Sequence, residues 1–155
     1  MIRMIDLESM KDVLELLELQ QLAYRVEATL IGFEEIPPLL DSPSTLRESN
    51  EAFLGYYLQT AEGGERLAGA IACKQTAKEL QICRLMVHPD CFRRGIAAQL
   101  LTYVEQHTVP GMRIKVSTGT GNTPAVELYV KHGYEPVGMQ LVAPGITLTQ
   151  FQKIV

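Results

Sequence analysis

Leu80–Gln106, LQICRLMVHPDCFRRGIAAQLLTYVEQ, combines an apolar run, a short connector, a basic pair beside a glycine, and a helical pattern. Leu80 to Val87 suits a buried strand: it has no Pro or Gly and is apolar except for Gln81 and Arg84. Pro89 ends the run, because proline cannot donate to a strand ladder and forces its predecessor into an extended conformation. From Ile96, the positions Ile96, Leu100, Tyr103, Val104 and His107 recur at helical spacing. Gly95 therefore falls where a loop enters a helix. Leu80 and Ile82 share one strand parity and Leu85 and Val87 the other, which predicts a one-residue bulge near Cys83 or Arg84.

This order of parts has a chemical consequence. The first amides of a helix lack partners inside it, and the helix dipole adds partial positive charge at the same end. A loop with little side-chain bulk lets a phosphate reach those amides, and Arg93 and Arg94 add two full charges. The stretch thus reads as a diphosphate cradle, the plainer alternative being a strand-to-helix turn with a solvated basic pair.

The same residues resemble the GNAT superfamily of acyl-coenzyme-A-dependent N-acetyltransferases. Leu85-Met86-Val87-His88-Pro89 matches the family's strand end, and Phe92-Arg93-Arg94-Gly95-Ile96-Ala97 matches its loop motif except at Phe92, where Arg or Gln is usual. A second element, Asn122-x-x-Ala125-x-x-Leu128-Tyr129-x-x-x-Gly133-Tyr134, also resembles the family pattern. The resemblance implies a coenzyme A site at Leu85, Met86, Val87, Phe92, Arg93, Arg94, Gly95, Ile96, Ala97, Ala98, Asn122, Ala125 and Tyr129. It also implies that a bulge splays the central strand and frees amides for the acyl carbonyl and the pantetheine arm. Tyr129 would stand near the thioester sulfur as general acid, and Glu79, opening the central strand, is the conventional place for a general base. Glu34, Glu35 and Asp41 are alternatives for binding a cationic acceptor.

The remainder of the chain fits one α/β domain over residues 1–155, with element order β-α-α-β-β-β-α-β-α-β-β and a mixed, mostly antiparallel sheet. Met1–Asp6 reads as a first strand. From Ser9, a leucine-rich stripe makes one or two helices to about Leu30, with Ser9 and Asp12 as a start signal. Gly32–Ser44, with three prolines, reads as a long loop or broken helix of the kind that often binds ligands. Thr45–Asn50 adds a helical turn. Ala52–Thr60 and Arg66–Gln75 form a hairpin about Glu62–Glu65, the second strand having the small, apolar texture of a central position. Met112–Ser117 is a further strand. Thr123-Pro124 starts a helix closed by Gly133, Thr as its cap, and Tyr134–Val142 and Ile146–Lys153 finish as strands.

Composition narrows the function classes. A net charge of −4 argues against a nucleic-acid partner, which needs a basic face. No eighteen-residue apolar run and no apolar leader are present, so a cytoplasmic location and no membrane partner are expected. Cys73 and Cys83 read as small buried hydrophobes and Cys91 as a connector thiol, inert rather than reactive. No residues have metal-ligand spacing, so no metal is expected. The expected activity is acetyl transfer from acetyl-coenzyme A to a primary amine by direct attack in a ternary complex. One rival is a noncatalytic acyl-coenzyme-A sensor. The other, an ATP or dinucleotide domain, lacks GxxxxGK[ST] and GxGxxG. The apolar ITLTQF strand reads as an edge through which a homodimer would pair.

Overall fold

A computed structural model describes residues 1–155. The elements in chain order are β1 (Ile2–Met4), α1 (Met10–Ile31), α2 (Pro43–Glu48), β2 (Ala52–Gln59), β3 (Glu65–Gln75), β4 (Glu79–Val87), α3 (Ile96–Gln106), β5 (Arg113–Gly119), α4 (Thr123–Lys131), β6 (Glu135–Ala143) and β7 (Ile146–Ile154). Short 3-10 turns at Pro37–Leu40 and Pro89–Cys91 lie between them. This is the expected element order for an α/β fold. No helix is long and apolar enough to cross a membrane, and no group of three or more His, Cys, Asp or Glu side chains is arranged to hold a metal.

One seven-stranded sheet carries the fold, in the order β1-β2-β3-β4-β5-β7-β6. All neighbours are antiparallel except β4 and β5, which run parallel. Two cores cover its faces. Val13, Leu16 and Leu19 of α1, with Leu46 of α2, pack with Phe53, Ala70 and Met86 on one face. Ile96, Leu100 and Val104 of α3, with Tyr129 of α4, pack with Ile71, Ile82 and Phe151 on the other. The small residues of β3 serve both layers: Leu67 through Ala72 are all buried.

The leucine-rich stripe is one continuous helix, α1, because nothing in it breaks the ladder before Gly32, whose left-handed φ of 73° closes it. Ser9 caps it as expected, its Oγ accepting the Asp12 amide at 3.4 Å. The proline-rich stretch is less open than its composition implied. Ser42 and Thr45 form a reciprocal capping box that starts α2 at Pro43.

Several sequence expectations are corrected. Asn122, not Thr123, caps α4, because its Oδ1 accepts the Ala125 amide at 3.3 Å and draws Thr123 into the first turn. Cys83 is exposed rather than buried, since it is the extra residue of a bulge. Cys91 is a core residue, 1% exposed. The ITLTQF strand, within β7, cannot offer an edge to a second subunit, because β5 and β6 pair with its two sides.

Gly69 lies where α3 packs tightly on the sheet. A Cβ there would lie 2.8 Å from Ile96 Cγ2 and 3.0 Å from the Met86 carbonyl oxygen. Both neighbours are buried, so Gly69→Ala is expected to destabilise by about 1–3 kcal/mol through overpacking, measured as a lowered urea midpoint with an unchanged m-value.

Candidate active site

The bulge expected near Cys83 lies there. Ala72 pairs with Arg84 and Cys73 with Ile82, so Cys83 has no partner on β3. The extra residue brings Leu80, Ile82, Leu85 and Val87 onto one face, against the α3–α4 core. Arg84 and Met86 face the α1 side. It also marks the end of pairing with β5: the parallel register runs from Glu79↔Arg113 to Ile82↔Val116 and stops. β3 holds β4 as far as Val87, and β7 holds β5 as far as Gly119. Beyond Ile82 the two central strands therefore diverge, and the β5-facing backbone of β4 has no strand partner.

A cleft of about 590 Å³ opens at this divergence. It is lined by Ile82–Val87 of β4 and Val116–Thr118 of β5, by Phe92, Arg93 and Gly95–Ala98 around the start of α3, by Asn122, Ala125, Leu128 and Tyr129 of α4, and by α1. All the coenzyme A residues implied by the resemblance meet here except Arg94, which is exposed outside the lining. Phe92 presents an exposed ring at this margin, so the position that usually holds Arg or Gln offers an aromatic face instead.

The loop before α3 has an anion-binding geometry. Arg93 and Gly95 are both left-handed, with φ of 65° and 75°, on either side of Arg94. Alternation of this kind turns successive amides toward one side. Gln99 is the first residue of α3 to have its amide bonded, by the Gly95 carbonyl at 3.0 Å. The amides of Ile96, Ala97 and Ala98 are left to face the cleft end. A side chain on Gly95 would meet nothing closer than Gln99 Nε2 at 3.9 Å, so a larger residue would project into open space at the cradle.

Tyr129 projects from α4 into the α3–α4 core, edge-on to Tyr134 and tilted against Phe151, each at 5.7 Å between ring centroids. Its hydroxyl makes no hydrogen bond within the protein, and no buried polar atom is without a partner, so the hydroxyl opens onto the cleft it lines. Burial, reinforced by the Glu27 carboxylate, holds its pKa well above the usual tyrosine range, which keeps it a proton-bearing donor.

Glu79 is not part of this site. It starts β4 at the end opposite the cleft, forms an ion pair with Lys115 at 3.2 Å and lies among Thr76, Lys78 and Arg113. The carboxylate that does line the cleft is Glu27 of α1, whose Oε1 accepts hydrogen bonds from Asn122 Nδ2 at 3.1 Å and Thr118 Oγ1 at 3.4 Å. Burial raises its pKa, and the hydrogen bonds from Asn122 and Thr118 offset this only in part. In the sequence Glu27 is one more polar position of the leucine-rich helix; the long-range contacts from Asn122 and Thr118 distinguish it.

Arg84 lines the cleft between α1 and the proline-rich stretch. Its guanidinium makes a bidentate contact to Glu51, at 3.0 and 2.9 Å, and pairs with Asp41; Gln20 bonds both Arg84 and Asp41. Asp41, an expected ligand for a cationic acceptor, is thus committed to Arg84, whereas Glu34 and Glu35 are exposed outside the cleft. Cys83 lines the cleft as well, but partial desolvation of its sulfur by the cleft walls and nearby Glu51 push its thiol up to about 11, so little thiolate is present at neutral pH.

Residues 32–155 match the Acetyltransferase (GNAT) domain family, and the chain belongs to it. A curated relative, UPF0157 protein YqkA of Bacillus subtilis strain 168, is 38% identical over 137 residues, covering 88% of this chain but 38% of that protein. The chain therefore spans under two-fifths of that relative's length. Among solved structures, an acetyltransferase of Thermus thermophilus is similar at a TM-score of 0.74 and 20% identity, covering 99% of this chain and 97% of the other. An aminoglycoside 6'-N-acetyltransferase complexed with coenzyme A is similar at a TM-score of 0.69 and 14% identity, with coverages of 99% and 96%.

The Arg84, Asp41 and Glu51 side chains are 11%, 12% and 7% exposed, so Arg84→Ala strands two carboxylates and is expected to cost about 3–5 kcal/mol in denaturant unfolding. For Glu27, the raised pKa means that the folded state binds its proton more tightly than the unfolded chain does. Its stabilising effect is complete below the ordinary glutamate pKa and is lost as pH rises through the folded value. Glu27→Gln should therefore raise the thermal midpoint at pH 7.5 while changing it little at pH 4; an equal change at both would contradict the assignment.

Proposed function

We propose that the chain is an N-acetyltransferase that moves an acetyl group from acetyl-coenzyme A to a primary amine, by direct attack within a ternary complex. The observation that carries this reading is the cleft, which joins the β4–β5 divergence to the unpartnered amides at the start of α3. The resemblance of Leu85–Ala97 and Asn122–Tyr134 to the family motifs supports it, as does family membership. So does the fold shared with an N-acetyltransferase that binds coenzyme A.

Acetyl-coenzyme A would supply an activated thioester. Its diphosphate would meet the amides of Gly95 to Ala98 beside Arg93 and Arg94, where the helix dipole favours negative charge. Leu85, Met86 and Val87 would offer backbone donors to the pantetheine arm and the thioester carbonyl, whose oxygen gains charge during attack. Phe92 and Ala125 would line the same path. Tyr129, kept protonated by its surroundings, would hydrogen-bond the sulfur as it leaves; full proton transfer from so weak an acid is the harder course. Direct attack fits the weakly ionised Cys83 thiol, which is a poor acyl carrier at neutral pH. The three free cysteines fit a reducing, cytoplasmic setting, and we take residues 1–155 as one domain.

The test is thermal denaturation with acetyl-coenzyme A, coenzyme A, ATP and NAD. Acetyl-coenzyme A at a hundred times its dissociation constant should stabilise by about 2.7 kcal/mol, and ATP or NAD should not match it. Gly95→Glu, which sets an anion at the cradle, should lose the shift relative to its own unliganded midpoint. An unshifted parent midpoint would remove the reading.

A further inference from the structure

The α1 wall of the cleft is chemically simple. It presents Ala23, Tyr24, Val26, Glu27 and Leu30, and Glu27 is the one carboxylate among all the residues that line the cleft. Its position is fixed from across the gap by Asn122 and by Thr118, which lies on β5 beyond the last β4–β5 pair. Resting on the acetyl-transfer reading above, we infer that Glu27 receives the acceptor's proton, and that the acceptor is a primary monoamine on an apolar body.

The placement separates two electrostatic tasks. The free amides and Arg93 stand at the α3 end, where a polyanion is favoured; Glu27 stands on α1, across the sheet, where it attracts an ammonium without repelling the diphosphate. Asn122 is then a positioning residue. Its Oδ1 is committed to the Ala125 amide and its Nδ2 to Glu27 and Thr118, which leaves it little capacity for a ligand. The groups facing Glu27 are Tyr24 on α1, Tyr129 on α4, Asn122 and Thr118; Arg84 acts on Tyr24, and its charge is more than balanced by Asp41 and Glu51. Tyr24 and Tyr129 remain neutral, so the Glu27 carboxylate has no cation holding it ionised. Burial brings its pKa closer to neutrality, where a general base is more effective.

The same lining selects the acceptor. One ammonium finds one carboxylate. A second ammonium, as on a polyamine or an aminoglycoside, would enter an apolar wall, because Asp41 and Glu51 are already taken by Arg84. In the reaction, one ammonium proton passes to the Glu27 carboxylate and on to solvent, leaving the neutral amine. The nitrogen lone pair forms the N–C bond to the acetyl carbon. As the tetrahedral intermediate collapses, the C–S bond breaks, its electron pair leaves with sulfur, and the second nitrogen proton ends on the coenzyme A thiol.

The experiment follows thiol release from acetyl-coenzyme A with 2-phenylethylamine as probe, against spermidine and kanamycin, from pH 5 to 9. The parent should acetylate 2-phenylethylamine with the higher kcat/KM, and its rate should fall on the acid side at a pH above the ordinary glutamate range. Glu27→Gln should keep the acetyl-coenzyme A midpoint shift, lose 100-fold or more in kcat and lose the acid limb. Thr118→Val, which removes one hydrogen bond to the carboxylate, should move that limb to higher pH with the fold intact. Retention of the parent rate and limb in Glu27→Gln would overturn the base assignment. Preference for spermidine or kanamycin, or no transfer to 2-phenylethylamine despite acetyl-coenzyme A binding, would overturn the acceptor assignment. Absence of any acetyl-coenzyme A shift would remove both, together with the transfer reading.

Discussion

At Cys83 the central strand carries one residue more than its β3 partner, and the geometry of the cleft depends on that insertion. A strand has a period of two, so a single extra residue exchanges the faces of everything after it. Here the exchange keeps Leu80, Ile82, Leu85 and Val87 on one apolar side while turning Arg84 and Met86 to the other. Bulges also increase local twist and interrupt ladders. The β4–β5 register ends at Ile82↔Val116, immediately before it. What would have been paired backbone becomes the floor of a cleft.

Around that floor the polar groups are divided by sheet face. Backbone amides and Arg93 gather at the start of α3, beyond the carboxyl end of β4, while Glu27 approaches from α1. Arg84 bridges this second side to the proline-rich stretch through Asp41 and to the start of β2 through Glu51. Its cluster carries two carboxylates against one guanidinium, nearly out of water. Such a cluster constrains the relative position of α1, β4 and the loop more than it stabilises them. It therefore shapes the α1 wall of the cleft instead of supplying a free charge to it.

Much of this was legible in the residues because the signals were local. The parity change between Ile82 and Leu85 marks the bulge, Gly95 before a helical period marks the cradle, and the small residues of β3 mark a strand covered on both faces. The misses concern contacts between distant segments. Glu79 looked suitable because it opens the central strand, but it opens the wrong end, where Lys115 pairs with it. Glu27 is, by spacing alone, one more polar position on an amphipathic helix; the fold places Asn122, at the start of α4, 3.1 Å from it. Asn122 itself was read for its motif position, and its capping of α4 depends on backbone angles that spacing does not specify. The edge assigned to β7 belongs to β6 because the last two strands cross in the sheet. No hydrophobic pattern encodes that order.

In the proposed reading, the divergence after Ile82 and the start of α3 form one acyl-coenzyme-A site. Amide chemical-shift mapping during titration with acetyl-coenzyme A tests it most directly. Saturable shifts are expected in residues 83–87, 93–98 and 117–129, with little change at Thr76–Glu79 or along β6. Shifts centred on Thr76–Glu79, or binding that leaves the amides of Gly95 to Ala98 unperturbed, would contradict it.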